Sequence, residues 1–119
     1  MSLGTRLPIY KRIEEIRGCP LVAYVTSTRP NATGQMAMDA VPEILDQVLA
    51  LPRDCKAVDL LVVSLGGDPT VAWRVMTLLR DRVKKVGVLI PQSAFSAATL
   101  LALGADEIIM HPFSNFLLY

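Results

Sequence analysis

Two short stretches carry residue types that can do chemistry. Ser64-Leu65-Gly66-Gly67-Asp68 closes a buried apolar run and opens a helical pattern. Sites in open α/β sheets gather outside the carboxyl ends of the strands, which is where this stretch falls. Two glycines there allow a tight turn whose backbone N–H groups are unscreened by side chains, as an anion or an oxyanion requires. The same pair also suits a turn that only redirects the chain. It is no nucleotide loop, because neither Gly-x-Gly-x-x-Gly nor Gly-Lys-Ser/Thr is present.

The second stretch, Pro91-Gln92-Ser93-Ala94-Phe95-Ser96-Ala97-Ala98, again runs from a strand end into a helix start. Ser96 is expected at the helix N-terminus, where free N–H groups and the positive end of the dipole favour a developing negative charge. Taken alone, this stretch favours Ser93 or Ser96 as a simple N-cap. Gly67 and Ser96 are 29 residues apart, on neighbouring strand–helix turns. A nucleophile beside preorganised donors is what acyl transfer needs. His111 is the single histidine, 15 residues beyond Ser96, and at a strand end it reads as a hydrogen-bonded surface group before a base.

The elements that must position these residues are legible in the apolar pattern. An amphipathic helix is expected over residues 7–17, ended by Gly18 and Pro20. Strands are expected over 21–28, 58–65, 86–90 and 107–110. Helices fill the gaps: one capped by Asp39 and reaching Leu51, one after Asp68 through Val71, Val75, Leu78 and Leu79, and a short one over 96–103. Arg29 to Gly34 is loop chemistry, and its Asn31-Ala32-Thr33 sequon is read as loop only. Trp73, Met36 and Met38 are expected to pack in the core, with lining a peptide groove a second role open to Trp73. Asp106 and Glu107 are expected to cap or pair near the last turn. Strand and helix alternate, so the fold class is α/β: a parallel sheet of repeated β-α units with right-handed crossovers, in one domain over 1–119 with an N-terminal helix over 1–18.

Composition sets the outer bounds. The chain has 119 residues, 52% apolar and 19% charged, which excludes a disordered or fibrous protein. A formal charge of +1 excludes nucleic acid or an acidic membrane held by bulk charge. Two cysteines make no disulfide framework, no Cys/His cluster suggests a metal, and a reducing cytoplasm is expected. Residues 86–105 carry no charge, but Pro91, Gln92, Ser93, Ser96, Thr99 and Gly104 interrupt them, so strand, turn and helix explain them better than a membrane span.

The stretch VVSLGGDPTVAWRVMTLLR resembles the strand–Ser-x-Gly-Gly–helix element of the Clp protease, signal peptide peptidase A and crotonase superfamily. SAFSAATLLALGADEII resembles the signal-peptide-peptidase pattern Ala-Ser-Gly-Gly-Tyr…Ala-x-x-Ala-Asp-x-Ile, with Ser96, Ala102, Ala105, Asp106 and Ile108 in register. From Leu21 to Asn115 the chain looks most like the serine dehydrogenase proteinase branch. The resemblance implies Ser96 as nucleophile and the Gly67 and Ala97 N–H groups as oxyanion donors. Gly66, Asp68, Ser93 and His111 are candidate site neighbours by their place in the chain, and His111 inherits no role by alignment. The resemblance also implies no cofactor, a peptide or protein substrate, and a homo-oligomer, which the apolar tail Phe116-Leu117-Leu118-Tyr119 also suggests.

Two departures stand against it: Ala97 and Ala98 replace the usual glycines after the nucleophile, and the general base is not found. Superfamily domains are longer than this chain, so it reads as a partial domain. A serine peptidase is the leading expectation. A catalytically inactive structural module of the same fold and a crotonase-type acyl-thioester enzyme are the alternatives.

Overall fold

A computed structural model describes residues 3–26 and 36–117. Helix α1 (Leu3–Arg17) leads into strand β1 (Leu21–Val25). A 3-10 turn (Met38–Ala40) runs into α2 (Val41–Leu49), followed by β2 (Ala57–Val63), α3 (Pro69–Arg82) and β3 (Lys85–Ile90). A three-residue strand β4 (Ser93–Phe95) precedes α4 (Ala97–Leu103), β5 (Glu107–Met110) and β6 (Asn115–Leu117). The main sheet is parallel, in the order β1-β2-β3-β5. Each crossover steps in the same direction, so α2, α3 and α4 share one face of the sheet.

Register explains the core. Val22, Leu60, Val88 and Ile108 stand opposite one another across all four strands and face those helices. Val71, Val75 and Leu79 of α3 and Ile44 and Val48 of α2 meet them, all buried. The buried run of β2 continues on its other face, where Leu61 is also buried, as a central parallel strand requires.

On that second face Arg17 of α1 grips a buried carboxylate. Its Nε donates to Asp59 Oδ2 at 2.8 Å, and its Nη2 donates to Asp59 Oδ1 at 3.2 Å and to Glu107. Gly87 makes the room, since a Cβ there would stand 2.5 Å from Asp59 Oδ1. The two carboxylates raise the Arg17 pKa further above its ordinary value, Asp59 acting most. Asp59→Asn is expected to cost about 2 kcal/mol, because it leaves Arg17 without its main partner. A parent-like urea midpoint in that variant would show that the pair does not hold α1 down.

Cys19 lies beside this cluster. Burial first, and then the Asp59 carboxylate, push its thiol up to about 11. With so little thiolate, Cys19 is expected to alkylate with iodoacetamide at pH 8 roughly a hundredfold more slowly than a free thiol. Alkylation at the free-thiol rate, read by peptide mass, would refute the burial.

Several expectations need correction. The first strand ends at Val25, and residues 27–35, including the loop and the sequon, lie outside the described residues. Asp39 does not cap α2; it sits inside the 3-10 turn, Ala40 is the N-cap, and no side chain bonds there. Trp73 is not a packing residue, for it is 67% exposed, and Met38 is exposed while Met36 is buried. Asp106 pairs as expected: its Oδ2 accepts from Arg80 at 2.6 Å and from the Val86 N–H at 2.8 Å, and these bonds lower its pKa, the Val86 bond most. Among the described residues, no helix is long and apolar enough to cross a membrane.

Candidate active site

The two chemically suggestive stretches meet at the carboxyl end of β2. After β3 the chain bends at Pro91 and Gln92, and β4 comes to lie beside Ser64. The Ser64 N–H donates to the Ser93 carbonyl at 3.0 Å, and the Phe95 N–H donates to the Ser64 carbonyl at 3.2 Å. β6 pairs with β4 in parallel through Ala94 and Phe116, so residues 115–117 have a strand partner within the chain, and Leu118 and Tyr119 lie outside the described residues. β4 and β6 are only three residues long, too short to leave a periodic signature in sequence.

Ser96 occupies the corner between β4 and α4 with φ 54° and ψ −116°. Among the described residues it is the only non-glycine with positive φ. An L-residue held there carries roughly 1–3 kcal/mol of strain, and such strain clusters at functional sites. A sharp strand-to-helix corner of this kind is how a nucleophilic serine is presented in α/β hydrolases. Ser96 is not a side-chain cap, because its hydroxyl makes no capping bond to α4. Ala97 and Ala98 behind it are wholly buried, which lets α4 press close to the sheet. Thr99 pins the start of that helix by donating to the Ala94 carbonyl at 2.8 Å.

The glycine turn stands directly across from Ser96. A Cβ on Gly66 would lie 2.8 Å from the Ser96 Cβ and 2.9 Å from the Phe95 carbonyl oxygen. Gly66 and Gly67 have φ of 109° and 147°, open to glycine and strained for other residues. Gly67 in turn packs on the Met36 backbone, whose N–H donates to the Gly66 carbonyl at 2.8 Å and whose carbonyl accepts from the Asp68 N–H at 2.9 Å.

The remaining sequence candidates take other places. Asp68 caps α3, its Oδ1 accepting from the Thr70 N–H at 2.8 Å. Ser93 is buried in β4 and contributes its carbonyl to Ser64. His111 is exposed past the end of β5; its Nδ1 accepts from the Phe113 N–H at 3.1 Å and its ring packs on the Phe113 ring. Among the described residues no hydrogen bond joins His111 to Ser96. Sequence reading placed Met36 in the core, where it is buried, but gave no part in the turn to Met36, Ser64 or Thr26. For Ser64 a signal existed, since a hydroxyl ending a fully buried run must find a partner. Met36 acts through its backbone, which leaves no signal in side-chain identity.

The fold is a parallel α/β sheet that brings a strained serine corner against a Gly-Gly turn. Residues 31–116 match the family of ClpP-like SDH-type serine proteinases, and the chain belongs to that family. A stretch of 68 residues is 38% identical to one uncharacterized protein of Methanocaldococcus jannaschii, and a stretch of 68 residues is 37% identical to a second. Each match covers 57% of this chain and 23% of the relative, so the chain spans about a quarter of the length of these relatives.

Proposed function

We propose that this domain carries the nucleophile half of a serine hydrolase acting on peptide bonds. The observation that carries the reading is Ser96 at φ 54°, so close to Gly66 that a Cβ there would stand 2.8 Å from the Ser96 Cβ and 3.4 Å from its Oγ. In this reading Ser96 Oγ bonds to the carbonyl carbon as the π electrons move onto the carbonyl oxygen, and the Gly67 and Ala97 N–H groups donate hydrogen bonds to the resulting oxyanion. The C–N bond then breaks, the amine leaves with a proton, and water releases the acyl group. The hydroxyl proton of Ser96 passes to a general base outside the described residues, supplied by further chain or by another subunit of a homo-oligomer in the cytoplasm. No cofactor enters this chemistry.

One observation favours the reading of an inactive structural module: among the described residues, no side chain hydrogen-bonds the Ser96 hydroxyl. A fluorophosphonate separates the two, because it captures only an activated serine. Mass labelling at Ser96 supports the hydrolase, and an unlabelled folded protein supports the inactive module. The crotonase-type alternative predicts a rise in melting temperature with coenzyme A, since a ligand bound only by the native state stabilises it.

A further inference from the structure

The Gly-Gly turn offers two consecutive N–H groups, of which the hydrolase reading uses one. The hydrogen bonds around the turn discriminate between them. The Gly66 N–H donates to Ser64 Oγ at 3.1 Å, and that oxygen also accepts from Thr26 Oγ1 at 2.9 Å. Thr26 is itself fixed to the neighbouring strand, its backbone N–H donating to the Val63 carbonyl at 2.8 Å. The Gly66 carbonyl and the Asp68 N–H are both taken by Met36. Among the described residues, the Gly67 N–H receives no acceptor.

We infer that Ser64, supported by Thr26, is a positioning residue that withdraws the Gly66 N–H from the site and so leaves the Gly67 N–H as the turn's single aimed donor. Ser64 is fully buried and cannot touch a substrate, so any effect it has on rate passes through the turn. Ser64 Oγ also donates to the Gly66 carbonyl at 3.5 Å. That carbonyl and the Gly67 N–H share one peptide plane, so loss of Ser64 loosens this plane as well as freeing the Gly66 N–H, and glycine offers little resistance to its rotation. A donor misplaced by about 1 Å loses much of its worth to a transition state. Met36 still holds that plane through its bond to the Gly66 carbonyl, so loss of Ser64 is expected to loosen the plane rather than release it. The effect on rate rests on the hydrolase reading; the geometry rests on the hydrogen bonds alone.

The test pairs two readouts on the full chain: the rate of fluorophosphonate capture and amide hydrogen exchange at Gly66 and Gly67. In the parent, Gly66 is expected to exchange slowly and Gly67 quickly. Ser64→Ala is expected to remove the protection at Gly66 and to lower the maximal capture rate about 10- to 100-fold, with the half-saturating probe concentration unchanged. Thr26→Val, which keeps the volume of the side chain, is expected to shift both readouts in the same direction by less. It serves as the test should Ser64→Ala fail to fold.

Equal exchange at Gly66 and Gly67 in the parent overturns the inference, whatever the labelling shows. So does loss of Gly66 protection with an unchanged capture rate. A parent that never labels at Ser96 sinks the hydrolase reading and the positioning role with it. Protection at Gly66 that is lost in Ser64→Ala would then still stand as the geometry of the turn. The two failures are therefore told apart by which readout moves.

Discussion

Replacing Ser96 by Ala is expected to abolish fluorophosphonate capture while changing stability by about 1 kcal/mol or less. The small stability effect follows from the corner itself. The Ser96 hydroxyl makes no capping bond and no hydrogen bond among the described residues, so removing it orphans no buried donor. Alanine inherits the same positive φ and the same strain. Ser96→Gly is therefore the informative companion: it removes the nucleophile too, but it adopts φ 54° freely. It is expected to be more stable than Ser96→Ala by about 1 kcal/mol, or roughly 4 °C in melting temperature. Capture that persists in Ser96→Ala would place the nucleophile elsewhere. A glycine variant less stable than the alanine one would remove the strain argument.

Gly67→Val is expected to produce the largest loss of stability, about 3 kcal/mol or more, with loss of capture. Two penalties act at one position. With φ 147°, Gly67 is strained for any L side chain, most of all a β-branched one. Its Cβ would also collide with the Met36 carbonyl oxygen and stand 2.6 Å from the Met36 nitrogen. These are backbone atoms and cannot swing aside as a long side chain can. Relief requires moving Met36 away, which breaks its bonds to Gly66 and Asp68 together. Urea unfolding measures the cost, and a midpoint equal to the parent's would show that the turn and the Met36 segment are not locked.

Both predictions concern one corner of the molecule, and the sequence announced that corner unevenly. Ser96 and Gly67 could be singled out as candidates because a serine or a Gly-Gly pair after an apolar run leaves a local mark, and the structure brings the two stretches together. The expected cap at Asp39 failed because the chain enters α2 through a 3-10 turn, which moves the helix start to Val41 with Pro42 in its first turn. Trp73 was misplaced although the pattern spoke against it. It lies two residues from Val71 and two from Val75, on the opposite side of a helix whose 3.6-residue period buries those valines.

The sequence by itself determined the alternation of elements and the parallel sheet. Apolar periodicity is a local property, and burial on both faces makes β2 apolar at every position but Asp59, whose carboxylate Arg17 pairs. It also determined which residues could act as nucleophile and donor. Only the tertiary structure decided that the strand before Ser96 folds back beside Ser64. That turn depends on backbone pairing over three residues, which no side-chain pattern encodes. It decided as well that Ser64, Thr26 and Met36 divide the turn's hydrogen bonds so that the Gly67 N–H has no acceptor among the described residues. Those bonds join residues up to 38 positions apart, and only the fold brings them within reach.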